Sequence, residues 1–158
     1  MKKNTKKIIM LGVGAVVLGL AAVGCNRFKV KTPEGYVKYK RSNAFYKAVA
    51  PDNSLIVIRS WDNDPKGSLK FWAQTLKRDL AKVRGYKYVG STEVKNGKGK
   101  KGHQLTFEGS YRGRMYRYEV ALFVTKKRIY ALQTLIEKDR LKHHQKVLQK
   151  VLSTFEPL

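Results

Sequence analysis

The segment Tyr116–Val124, YRYEVALFV, restricts the fold more than any other stretch of the chain. Strand periodicity puts Tyr116, Tyr118, Val120, Leu122 and Val124 on one face, and Arg117, Glu119, Ala121 and Phe123 on the other. One face is apolar throughout and the second becomes apolar at its end, so this strand needs cover on both sides. A central place in a sheet, with a helix against each face, meets that need. Two stretches can supply the helices. Leu69, Trp72, Leu76, Leu80 and Val83 recur every three or four residues, while Lys70, Lys77, Arg78, Lys82 and Arg84 point toward water. Asp64 or Ser68 is placed to cap this helix and Gly85 to end it. Asp139–Phe155 carries a second stripe of Leu141, Leu148, Val151, Leu152 and Phe155, with Pro157 as its stop.

The remaining segments read as strands. Tyr36–Tyr39 and Ala44–Val49 alternate apolar and polar residues, and Pro51-Asp52-Asn53-Ser54 supplies a turn before Leu55–Ile58. Trp61–Gly67 is a loop. After Gly85 come Tyr86–Val94, His103–Glu108, Met115–Thr125 and Arg128–Ile136, rich in Tyr, Val, Phe, Thr and Ile and joined by polar or glycine-bearing turns. The expected fold class is α+β, an antiparallel β-sheet flanked by two main helices.

The first 25 residues follow a different logic. Lys2, Lys3, Lys6 and Lys7 form a positive start, Ile8–Leu20 an apolar middle, and Ala21-Ala22-Val23-Gly24 a small-residue end before Cys25, the single cysteine of the chain. Ile8–Val23 is interrupted by Gly and Ala and falls short of the roughly 20 apolar residues that span a bilayer. A charged start, a short apolar run and a small-residue cleavage site are the parts of a secretory signal. With the cysteine at its end, the stretch resembles a bacterial lipoprotein signal peptide with its lipobox, although Ala22 stands where that pattern most often has Leu. The resemblance implies removal of residues 1–24, lipid attachment at Cys25 and an extracytoplasmic, membrane-anchored location. Asn26 in place of Asp tilts the expectation toward an outer membrane. Residues 25–35, polar and bearing Pro33 and Gly35, read as a lipidated tether, and residues 36–158 as one α+β domain.

The order of elements carries a second resemblance. A helix containing Phe71-Trp72 and ending at Gly85-Tyr86, a glycine-bearing hairpin, two long strands ending in Arg128-Ile129-Tyr130, and a closing helix ending Leu152-Ser153-Thr154-Phe155 resemble the PsbP-like fold of DcrB-type envelope lipoproteins. The resemblance implies an α/β/α sandwich that acts as a binding or assembly module, without a shared catalytic residue.

Charge points to the kind of partner. The chain holds 34 Lys and Arg against 11 Asp and Glu, and with four lysines in the leader the remainder keeps 30 against 11. Acidic partners follow: anionic lipid, lipopolysaccharide, a wall polymer, or an acidic face of an envelope protein. The candidate anion-binding residues are Lys98, Lys100 and Lys101, on a cationic hairpin tip expected to be flexible, and Arg112, Arg114 and Arg117, interleaved with Tyr111 and Tyr116. Arginine among aromatics also suits single-stranded nucleic acid, which makes binding of external DNA the alternative, though a secreted location disfavours it. No catalytic constellation assembles. His143 and His144 are adjacent on a helix and point about 100° apart, which does not suit one metal, and Asp62-Asn63-Asp64 lacks further calcium ligands. There is no Gly-x-Ser-x-Gly and no phosphate-cradling glycine loop. No enzyme activity, metal or cofactor is expected.

Overall fold

The computed structural model describes residues 27–40 and 45–158. Its framework is a seven-stranded antiparallel sheet in the order β2-β3-β4-β8-β7-β6-β5. The strands are β2 (Val37–Lys38), β3 (Tyr46–Val49), β4 (Leu55–Asp62), β5 (Lys87–Lys95), β6 (Lys101–Tyr111), β7 (Arg114–Val124) and β8 (Arg128–Glu137). β7 lies inside the sheet between β8 and β6, as the two-faced apolar pattern of Tyr116–Val124 requires. Val120, Leu122, Phe107, Leu105, Ile129 and Ala131 form one core under α1 (Leu69–Arg78), and Phe123, Ala121, Tyr130, Leu132, Ile56 and Ile58 form the other under α3 (Val147–Thr154). The fold is the expected α+β sandwich with helices on both faces.

Ser68 supplies the α1 cap, its Oγ accepting a hydrogen bond from the Phe71 N–H at 3.1 Å. The helix continues as a π-helical turn over Asp79–Val83, and Arg84 N–H reaches back to Asp79 O at 3.0 Å. Wider turns advance each residue by a smaller angle, so Val83 rotates off the apolar stripe. It is 76% exposed rather than part of the core.

The second helix is not continuous. A 3₁₀ turn at Lys138–Arg140 leads into α2 (Leu141–His144), and the chain restarts as α3 after Lys146, which leaves the helical region at φ −104° and ψ 5°. The break separates two demands: His144 turns toward Asp52 and Tyr36, while Val147, Leu148, Val151 and Leu152 bury against the sheet.

Residues 27–35 are not a tether. Phe28–Lys29 (β1) pairs antiparallel with Glu156–Pro157 (β9), and the Phe28 ring packs 5.7 Å from Phe155 and 6.4 Å from Tyr130. The Tyr130 hydroxyl donates to Arg27 O at 3.1 Å, and Leu158 N–H to the same carbonyl at 3.0 Å. Pro157 therefore joins a strand pair instead of merely ending a helix. One aromatic side chain in an otherwise polar segment is enough to draw it onto the apolar rim of the core. Residues 1–24 and Cys25, read as leader and lipid site, lie outside the described residues.

Candidate functional site

The expected cationic residues separate into two groups at opposite ends of the sheet. β6 joins the two hairpin tips, and its 11 residues span roughly 35 Å at about 3.3 Å each.

At one end, residues 96–100 form a tightly built tip. The buried Asn96 side chain accepts from the backbone N–H of Lys98 at 3.0 Å and of Lys100 at 2.8 Å, and Gly99 takes φ +76°. The tip is held rather than flexible, because Gly97 N–H also donates to Leu152 O at 3.1 Å and Lys98 approaches Glu156 at 3.8 Å. A side chain at Gly97 would run into the Ser153 carbonyl. Glu156 faces Lys29 across the β1–β9 pair, so the lysine tip and the start of the described chain share this end.

At the other end, Arg112 and Gly113 make the two-residue turn between β6 and β7, both with positive φ. The Arg112 guanidinium lies over the Tyr111 ring at 5.3 Å. Arg114 pairs with Glu137 at 3.3 Å, whereas Arg117 points to the opposite face and pairs with Glu108 at 3.4 Å. Lys138 completes that cluster, 3.3 Å from Glu108. Burial alone raises the Glu108 carboxyl, but the Lys138 ammonium and Arg117 guanidinium outweigh it and hold it below the ordinary range. Strand alternation explains the split: residues three apart on β7 cannot share a face.

Between the end of α1 and the sheet lies a groove that the sequence reading missed. α1 packs on β6 and β7 and shares a core with Ile129 and Ala131 of β8, and leaves Leu55 and Val57 of β4 and Gln133 and Leu135 of β8 on the same face only partly covered. The groove has a volume of about 410 Å³ and is lined by Leu55, Tyr86, Tyr116, Tyr118 and Leu135, with Arg114 and Glu137 at its mouth. A continuation of about 220 Å³ runs toward Val57, Leu80 and Arg84. Burial, reinforced by the neighbouring Tyr86, pushes the Tyr118 phenol up to about 12, and its hydroxyl donates to Gln133 Oε1 at 2.9 Å. It is thus a hydrogen-bonding wall rather than an acid or base near neutral pH. The signal available in the sequence was the run of tyrosines at alternate positions.

A second constellation lies beside α2. Tyr36 OH is 2.8 Å from His144 Nδ1, and His144 Nε2 is 2.8 Å from Asp52 Oδ2, at the edge of a cavity of about 360 Å³. With its proton on Nε2, the neutral imidazole donates to Asp52 and accepts from Tyr36. Burial alone raises the Asp52 carboxyl, but hydrogen bonds from His144 and Ser54 prevail and bring it to about 2. The Tyr36 phenol is pushed up to about 12 by burial and by the Asp52 charge, the reverse of what activation as a nucleophile requires. This arrangement clamps α2 to the turn between β3 and β4.

Among the described residues, no three of His, Cys, Asp and Glu converge on a common point, and no helix is long and apolar enough to cross a membrane. The sequence reading also passed over Lys126 and Lys127, exposed on the turn between β7 and β8. Asn63 anchors that turn, donating its N–H to Lys127 O and its amide to Thr125 O, both at 2.9 Å.

No protein-family model matches the chain, and a search of curated proteins found no sequence relative. Solved structures do match in fold. LpqN of Mycobacterium tuberculosis, described as involved in cell envelope biogenesis, superposes with a TM-score of 0.62 at 18% identity, covering 82% of this chain and 83% of that one. The cyanobacterial PsbP of Synechocystis sp. PCC 6803 gives 0.56 at 12% identity, covering 89% of this chain and 99% of the other. The fold is therefore PsbP-like.

Proposed function

We propose that this chain is a membrane-anchored, non-enzymatic lipoprotein of the cell envelope, acylated at Cys25, whose domain binds an anionic surface or an envelope partner. The observation that carries this reading is the position of Cys25. It follows a leader-like stretch and stands two residues before Arg27, whose carbonyl accepts a hydrogen bond from Tyr130 of the sheet. Two or three acyl chains hold a protein to a bilayer effectively permanently. The envelope role described for LpqN supports the same setting, and the cysteine-free, strongly basic domain suits an anionic boundary.

An enzyme reading loses its best candidate in Tyr36, His144 and Asp52, whose phenol is the least ionisable member. The nucleic-acid reading loses its contiguous arginine–tyrosine surface, since Arg114 and Arg117 face opposite sides of the sheet. The anchor is tested by expressing the full chain in bacteria and measuring the intact mass and the first residue of the membrane-extracted product. A mature chain that begins at Cys25 and carries diacylglyceryl mass is the expected result, abolished by Cys25→Ser. A chain that keeps residues 1–24, or starts with a free thiol, overturns the reading.

A further inference from the structure

We propose that the sheet end formed by Arg27, the 96–101 tip, the Thr125–Arg128 turn and Trp61 is a docking face that rests on anionic bilayer lipid, turning the tyrosine groove away from the membrane. The inference builds on the anchor reading and names the surface and orientation of its contact.

Three observations converge on this end. The first is where the chain enters. Backbone geometry limits the Cα distance from Cys25 to Arg27 to about 7 Å, and Arg27 O is tied to Tyr130 and Leu158 in the body of the domain. A lipid on Cys25 would thus hold this end at the headgroups, leaving no spacer for the domain to turn over.

The second is charge. Lys29, Lys98, Lys101, Lys126 and Lys127 are exposed, and among the described residues Lys98 alone of these five forms an ion pair, at 3.8 Å with Glu156, which also stands opposite Lys29 in the β1–β9 register. The neighbouring carboxylates are Asp62, paired with Arg128 at 3.1 Å, and the exposed Asp64. At the opposite end, Arg114, Arg117 and Lys138 are all paired with Glu108 or Glu137. Cations near an anionic leaflet attract it within a Debye length, so those on the tethered end contribute while those about 35 Å away do not.

The third is the exposed aromatic component. Trp61 is 39% exposed one residue from Asp62, and Phe45 is 51% exposed beneath the Arg27 guanidinium at 5.0 Å. Aromatic side chains among cations suit the bilayer interface, where an apolar body and a wet edge are both satisfied.

The test uses the chain from residue 25 onward with Cys25→Ser, which carries neither leader nor acyl chain to bring it to a bilayer, with phosphatidylcholine vesicles prepared with and without phosphatidylglycerol, and a nitroxide lipid as quencher of tryptophan fluorescence. Quenching is expected in phosphatidylglycerol vesicles at low salt and should disappear with Trp61→Phe, which leaves Trp72. It should fall by about fivefold or more with Lys126→Glu and Lys127→Glu together, and remain unchanged with Arg112→Glu. Equal quenching in neutral vesicles, or equal damage from Arg112→Glu, overturns the proposal. So does soluble polyphosphate that competes as strongly as the vesicles, which would assign the face to a free polymer. The intact mass of the membrane-extracted full chain separates the two readings. If Cys25 proves unacylated, phosphatidylglycerol-dependent co-sedimentation still upholds the docking face, and its absence overturns it.

Discussion

The two ends of the sheet carry similar sequence but differ in how many of their cations are paired with carboxylates. Lys95–Gly102 and Tyr111–Arg117 are both short, basic and glycine-bearing, yet their surroundings differ. The first hairpin tip is braced by Asn96, by the end of α3 and by β9, and its lysines extend into water with a single distant carboxylate. Around the second, Arg114 and Arg117 meet carboxylates on opposite faces of the sheet. Net charge counted along a sequence does not report usable charge, because strand alternation and cross-strand partners decide which cations are already neutralised. The same contrast separates an end joined to the entering chain from an end open to solvent and occupied by the tyrosine groove.

The largest perturbation should come from uncoupling the tethered end from the core. Phe155 is 1% exposed and packs against Phe28, Phe123 and Tyr130 at centroid distances of 5.4 to 5.7 Å. Phe155→Ala is expected to cost about 3–5 kcal/mol in urea unfolding, with faster hydrogen exchange in β1 and little change at the 111–114 turn. Exchange that accelerates equally at both ends would show that the ends are not independent. A smaller and more local loss is expected from Gly97→Ala, whose added methyl meets the Ser153 carbonyl backbone. Overpacking of this kind costs about 1–3 kcal/mol, and here it should move the lysine tip off α3 while leaving the groove intact by NMR shift mapping.

Much of this architecture was legible in the residues because it rests on periodicity. The central strand, the Leu69–Leu80 stripe, the Leu148–Phe155 part of the second stripe and the four strands after Gly85 follow from which side chains must leave water, and each is present, while of the two cap candidates, Asp64 and Ser68, the structure uses Ser68. What the sequence concealed depended on contacts between distant segments. Nothing local to Phe28 announces a partner at Phe155, so residues 27–35 read as a tether. The π-helical turn that exposes Val83, and the break that lets His144 reach Asp52, come from tertiary packing that overrides a continuous helical period. The candidate cations were identifiable by type, and alternation already set Arg117 on the face opposite Tyr116, but the carboxylates that pair with Arg114 and Arg117 come from the neighbouring strands β8 and β6. Lys126 and Lys127 were passed over because a short polar turn draws attention only once its end of the sheet is known.

The clamp at the far end gives the pH dependence. The Asp52 carboxyl is held at about 2 in the folded protein against an ordinary value of 3.8. A lowered carboxyl contributes stability above its unfolded value and loses that contribution as pH falls through the folded one. The Asp52 contribution is therefore complete near neutrality and fades between roughly pH 4 and pH 2. Asp52→Asn should cost about 1–2 kcal/mol near pH 7 by weakening a charge-assisted hydrogen bond, and should converge with the parent protein by pH 2 in thermal melts. A gap that persists unchanged at pH 2 would show that the loss lies in packing of α2 instead of in the Asp52 charge.

The smallest effect should come from the pair at the groove mouth. Arg114 is 66% exposed and Glu137 is 18% exposed, so solvent screens most of their attraction across 3.3 Å. Arg114→Ala should change stability by less than about 1 kcal/mol, and the difference should shrink further in high salt. It leaves Glu137, facing Tyr116 across the β7–β8 register, without its cation and reverses the local balance of charge. If this end contributes nothing to membrane contact, the same variant will bind phosphatidylglycerol vesicles as tightly as the parent. A clear loss of binding would mean that cations near the groove reach the anionic surface, and the two ends of the sheet would no longer be functionally distinct.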